Sequence, residues 1–237
     1  MQILIWNLVW CIFLALIISG LPGRFATKRK TYYLIAFGGI FVLRTFVDPN
    51  SLPDLDTYLQ IFEFAKNLTW SEVLKGEAIV VSEYGYLIVN KLCLEVSNNY
   101  QLLFCSIAII WAISYHKFFL RYSPYYAVPI LLLLVTEFPQ SLFVLRQHIA
   151  MAIWLFAYPY IISRDLKRFC LVGLLAFSMH MTSVLFFPIY FLYGMSDKKK
   201  LVIAILLMIV ACVFVFGYLN QLNDSLGLSY DNYITGT

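Results

Sequence analysis

Residues 139–163 read PQSLFVLRQHIAMAIWLFAYPYIIS, an apolar stretch long enough to cross a bilayer, with an arginine, Arg146, inside it. His148 stands two residues further on. A second stretch, residues 169–193, reads FCLVGLLAFSMHMTSVLFFPIYFLY and carries His180 in its middle. An ionisable side chain at membrane depth costs roughly 2.5–3.5 kcal/mol on insertion scales, so it faces a cavity, a partner or a substrate. The two stretches predict an all-α, polytopic helical membrane protein with a charged internal site.

Composition agrees. The chain is 62% hydrophobic, 18% aromatic and 13% charged, with a mean hydropathy of +0.80. A soluble domain carries about 25% charged residues. No region is polar enough for a separate soluble domain, so residues 1–237 read as a single transmembrane domain. The first apolar run, Ile3 to Ser19, has no basic residue before it and is followed by ISGLPGRF. It reads as an uncleaved span rather than a signal peptide. Cys11, Cys93, Cys105, Cys170 and Cys212 lie in or beside apolar runs without CxxC spacing. Core packing is their expected role, and no metal site or cofactor is expected. The net charge of +4 arises in connections between spans, so no nucleic-acid partner is expected; the lipid bilayer is the surrounding medium.

The apolar runs fall at about 3–19, 32–47, 99–115, 124–136, 145–162, 169–194 and 201–219. Twelve of the seventeen Lys and Arg cluster in four connections: Arg24 to Lys30, Lys117 to Arg121, Arg164 to Arg168, and Lys198 to Lys200. The positive-inside rule assigns all four to the cytoplasm. Segment 48–83 has seven acidic residues against Lys66 and Lys75 and is expected outside. Run 169–194 then has basic loops at both ends. It must enter and return, which predicts two short helices with a turn near Met179–Ser183. Broken helices are tolerated at depth where they line a cavity. YGYLIVNKLCLEVS (84–97) is short and amphipathic, and is expected to lie along the outer surface. The external loop, about 48–98, should therefore carry membrane-surface helices.

This topology gathers Asp54, Asp56, Glu83, Glu137, Arg146, His148 and His180 on one face. Asp54 and Asp56 open DLDTYLQIF as helix caps or as surface carboxylates. Glu83 ends the external loop as a solvated acid or as a site group. Tyr84 and Tyr86 follow it, as interface belt or sugar-stacking rings. Arg146 either snorkels to headgroups or grips a diphosphate, for which its permanent charge and planar fork suit it. His148 reads first as a helix-satisfied neighbour. His180 sits where a helix break supplies a reason for polarity. Arg44, inside the second span, is expected to pair with an acid of the outer loop. Asn67-Leu68-Thr69 is an external glycosylation sequon only in a eukaryotic secretory setting. No zinc spacing, Gly-rich phosphate loop or GxSxG is present.

In this order, DLDTYLQIF, SEYGYLIVN, LRQHIAMAIWLFAYPYIISRDLKRF and LLAFSMHMTSVLFFPIYFL resemble the EpsG/Wzy family of bacterial exopolysaccharide and O-antigen polymerases. The resemblance covers about residues 40–195. The Arg-Gln segment, basic turn and His-containing broken helix are its specific part. A wider similarity is to lipid-linked-sugar transferases of the GT-C type. The resemblance implies a glycosyltransferase that polymerises oligosaccharide units carried on undecaprenyl diphosphate at the external face of the bacterial inner membrane. Other membrane proteins of polysaccharide assembly are then candidate partners. Family members usually run longer, so the C-terminal part, after SYDNYITGT, is expected to be short or missing.

The expected catalytic residues are Asp56, Glu83, Arg146 and His180, with Arg146 on the diphosphate. Asp56, Glu83 and His180 are equal candidates for the base. Asp54, Tyr58, Tyr84, Gln147 and Arg44 are the substrate-contacting candidates. Two other classes fit the same residues: a transporter or flippase of lipid-linked oligosaccharide, and a non-catalytic subunit of a polysaccharide secretion complex.

Overall fold

The computed structural model describes residues 2–49, 52, 54–75 and 83–226. Every helix and the one 3-10 segment used below come from these residues, which form no strand. Helices α1 (Gln2–Gly20) and α2 (Phe25–Thr45) precede three helices of the acidic segment: α3 (Leu55–Lys66), α4 (Trp70–Lys75) and α5 (Tyr84–Val96). Then come α6 (Gln101–Tyr122), α7 (Ala127–Thr136), α8 (Phe138–Ser141), α9 (Leu145–Ile162) and α10 (Leu166–Met179). A 3-10 turn (Met181–Phe186), α11 (Ile189–Leu192) and α12 (Lys198–Leu226) complete them. The C-terminal segment SYDNYITGT, 229–237, lies outside the described residues.

Among the described residues α6 is the helix that is both long and apolar enough to cross a membrane, with a mean hydropathy of 1.6 over its best window. Its 22 residues span ~33 Å at 1.5 Å per residue, against a hydrocarbon core of about 30 Å. Helices α6 and α9 stand at the centre. One apolar cluster joins them to α3, α5 and α10. A second joins them to α1, α2 and α7. The outer faces are apolar too: Trp6, Phe13 and Leu16 on α1 and Val213 and Phe214 on α12 are exposed. Large exposed aliphatic and aromatic faces of this extent suit a lipid environment.

The basic connections share one end. Arg29 donates from Nη1 to Ser123 O (2.6 Å) and from Nη2 to Leu120 O (3.0 Å), joining the α1–α2 and α6–α7 connections. Tyr122 packs edge-on against Tyr158 near the end of α9, centroids 4.7 Å apart. Arg164 donates to the carbonyls of Tyr190 (2.6 Å) and Tyr193, drawing the start of α10 to the end of α11. The charge pattern that grouped these loops in sequence therefore groups them in space.

Arg164 also closes the predicted re-entrant hairpin, whose two ends meet through it. Asp165 caps α10 by accepting from Arg168 N (3.1 Å), and α10 runs to Met179. There His180 turns extended (φ −158°, ψ 118°), and the chain returns. The return limb is tighter than two matched α-helices: a 3-10 turn, Pro188, then one α-helical turn. Thr182 and Val184 are β-branched and Pro188 cannot donate, so this segment propagates an α-helix poorly. Gly173 on α10 admits the returning limb. A Cβ there would stand 2.7 Å from both Phe187 Cζ and Trp154 Cη2.

In the acidic segment, α4 begins with a capping box. Thr69 Oγ1 accepts from Glu72 N (3.3 Å) while Glu72 Oε2 accepts from Thr69 N (2.6 Å). Trp70 Nε1 donates to Glu95 (2.8 Å), tying α4 to α5. Helix α5 packs against α3, α10 and the start of α6, at the end of the bundle away from the basic loops.

Candidate functional site

Glu83, immediately before α5, lies between two nitrogen donors, Arg146 and His180, drawn from different parts of the chain. Its Oε2 accepts from Arg146 Nη1 at 2.5 Å, and its Oε1 is 2.8 Å from His180 Nδ1. Arg146 belongs to the first turn of α9, and His180 is the break after α10. The three side chains are 15%, 24% and 22% exposed, so each is sheltered yet reachable. Burial alone would raise the carboxyl pKa of Glu83. The His180 hydrogen bond and the Arg146 charge outweigh it and hold the pKa at about 2. Glu83 is thus a carboxylate, with no proton to give. His180 Nδ1 must donate to it, so in the tautomer that this contact selects Nε2 is the acceptor.

Tyr58 of α3 forms one wall. Its ring lies 5.7 Å from the Arg146 guanidinium carbon and 5.9 Å from the ring of Tyr86. Burial raises the Tyr58 hydroxyl pKa against the pull of Arg146, so it stays a neutral donor. Arg146 Nε is buried without a hydrogen-bond partner among the described residues, while the side chain as a whole is 24% exposed, so part of the guanidinium remains reachable.

The remaining predicted residues are placed as follows. Asp54 sits at the N-cap of α3 with φ 63°, exposed, and its side chain makes no capping bond. It is close enough to Tyr58 to act on it electrostatically. Asp56 is exposed in the first turn of α3 and accepts from Gln60 (2.9 Å). Gln147 is exposed beside Arg146. Tyr84 directs its hydroxyl to Leu74 O (3.4 Å), towards α4. Among the described residues Arg44 takes no outer-loop acid. It is 4% exposed, donates to Ser141 Oγ and lies over the Trp111 ring at 4.7 Å. His148 is buried, 3.6 Å from Glu137. Among the described residues no three His, Cys, Asp or Glu side chains cluster closely enough to hold a metal ion.

One determinant was absent from the sequence expectations. Gly85 lets the first turn of α5 touch the last turn of α10. A Cβ at Gly85 would be 2.3 Å from Ser178 Oγ and 2.9 Å from the Ser178 carbonyl carbon. Glu83 and His180 each lie two residues from this contact, so it sets their separation. A glycine inside a helical pattern was the available signal. Gly85→Ala is expected to destabilise the protein by about 1–3 kcal/mol, the usual cost of overpacking, and to separate Glu83 from His180. Thermal melting in detergent beside an activity assay checks both effects.

Fold and site together define an all-helical membrane protein with a carboxylate-bridged Arg–His pair at the end opposite its basic loops. Residues 30–237 match the EpsG family, and the chain belongs to it. Membership ties it to polysaccharide biosynthesis of the polymerase type. No curated protein and no solved structure matches the chain.

Proposed function

We propose that this protein is a multi-pass glycosyltransferase of the bacterial inner membrane, with a GT-C-like plan, that polymerises oligosaccharide units carried on undecaprenyl diphosphate. The observation that carries the reading is Glu83 bridging Arg146 and His180, three residues from separate elements. In the proposed reaction a hydroxyl oxygen of the acceptor glycan bonds to the anomeric carbon of the donor. The bond from that carbon to the diphosphate oxygen breaks, and its electron pair leaves with the lipid diphosphate. Arg146 offsets the charge that develops there. The hydroxyl proton passes to His180 Nε2. Glu83 holds the ring in the required tautomer and orients the guanidinium, as a buried carboxylate does for a catalytic histidine. A carboxylate of pKa about 2 is too weak a base for the proton transfer itself, which favours His180. Tyr58 and Asp54, at the wall of the site, are the proposed glycan contacts.

Purified protein given lipid-linked repeat units should make products that lengthen by whole units. A flippase would move the substrate across liposomes without lengthening it, and an assembly subunit would do neither.

The proposed orientation sets the basic end in the cytoplasm. Single cysteines at 117 and 199 are expected to resist a membrane-impermeant thiol reagent in intact cells, and one at 75 to react, all in a background free of the five native cysteines. The reverse pattern would turn the site towards the cytoplasm.

A further inference from the structure

The first turn of α9 has a second side, and it is gripped there as well. On one side Arg146 meets Glu83. On the other, Leu145 lines a small, water-sized space together with Arg44, Val47, Phe104, Ile107, Ser141 and Leu142. The short helix α8 and the break at Leu142–Val144 lead into this turn. One chain of hydrogen bonds fastens α8 to α2. Arg44 of α2 donates to Ser141 Oγ, the last residue of α8, and that hydroxyl donates to Phe138 O at 2.7 Å. Glu137, just before α8, stands 3.6 Å from His148 on α9, beyond hydrogen-bond reach, so it adds proximity across the break but no bond. Arg44, Ser141 and His148 are 4%, 0% and 2% exposed, too deep to meet a glycan. Arg44 is set further by Trp111 beneath its guanidinium.

We propose that Arg44 and Ser141 are positioning residues for Arg146. They fix the angle between α8 and α9, and so the place of the Arg146 guanidinium relative to Glu83 and the departing diphosphate. A cation buried between apolar helices is costly, and the cluster holds it against a hydroxyl instead of a carboxylate. Arg44 thereby ties α2, α6 and α8 at the point where the chain bends into the site. The kinetic part of the test rests on the polymerase reading; the stability part does not.

The experiment is a pair of double-mutant cycles on the full chain, Arg44→Gln with Arg146→Gln and Ser141→Ala with Arg146→Gln. In detergent, the melting shift from Arg44→Gln or Ser141→Ala should be smaller in the Arg146→Gln background than alone, because the two ends of one device are coupled. With purified lipid-linked units, each single change should lower kcat about tenfold while leaving KM within about twofold, since only transition-state contact is lost. In the Arg146→Gln background neither should lower kcat further. Ser141→Ala keeps the cycle readable where Arg44→Gln fails to fold. Additive melting shifts overturn the proposal whatever the activity does. A rise in KM as large as the fall in kcat would also overturn it, making Arg44 a substrate contact. If the wild-type protein makes no polymer, the polymerase reading falls and the melting cycles alone decide the coupling.

Discussion

Arg146→Lys is expected to lower polymer formation by about 10²–10³-fold, the range seen when one preorganised donor to a developing oxyanion is lost. Lysine keeps the charge but has a single ammonium in place of a planar fork. In the proposed reaction Arg146 has two tasks at once. Nη1 holds Glu83 at 2.5 Å, and the rest of the guanidinium remains for the diphosphate. One ammonium on a flexible stem cannot serve both directions in fixed geometry. Arg146→Ala is expected to be as inactive and less stable, because the sheltered Glu83 carboxylate then keeps only His180. Breaking one side of a buried ion pair costs about 3–5 kcal/mol, with partial exposure here setting the lower end. The measurement is turnover of purified lipid-linked units at matched protein level, with melting in detergent beside it. Normal polymer in cells carrying Arg146→Ala at wild-type abundance would remove the diphosphate role.

Glu83→Gln is expected to cost about 10²–10⁴-fold in kcat, the range for losing general acid–base catalysis. The substitution changes little in shape. Its effect is on the proton: a glutamine amide can donate to His180 Nδ1, which moves the ring hydrogen to Nε2 and leaves no acceptor for the glycan hydroxyl. The charge that orients Arg146 goes as well. His180→Gln should fall to a similar level, and Glu83→Gln with His180→Gln should be little worse than either, since the two act as one unit. Additive losses would mean separate roles. The same carboxylate predicts a pH response. Its pKa in the folded protein, about 2, lies below the ordinary 4.5. Its stabilising contribution is therefore complete above 4.5 and is lost as pH falls from there through 2. Melting temperature should drop across that window, and the drop should be smaller in Glu83→Gln. Any activity titration between pH 5 and 8 belongs to a group other than Glu83.

What the sequence determined by itself were properties whose physical cost is local. A membrane helix is apolar residue by residue, so the apolar runs and the helices observed coincide closely. A cation within such a run is expensive wherever the chain goes, so Arg146 and Arg44 were marked as functional or structural before any partner was known. Charge on the connections is also read one loop at a time, and basic ends on both sides of run 169–194 required the chain to turn back at His180. Partner choice is a different matter, because it depends on packing between segments far apart in the chain. Glu83 stands 63 positions from Arg146 and 97 from His180, and no local pattern says which of Asp54, Asp56 or Glu83 reaches them. The tertiary structure decided it through a close helix contact, Gly85 against Ser178, that admits no side chain. It likewise turned Arg44 inward to Ser141 and left Asp56 on Gln60. Burial of a polar group is settled by whichever neighbour can satisfy it, and that neighbour is supplied by the fold.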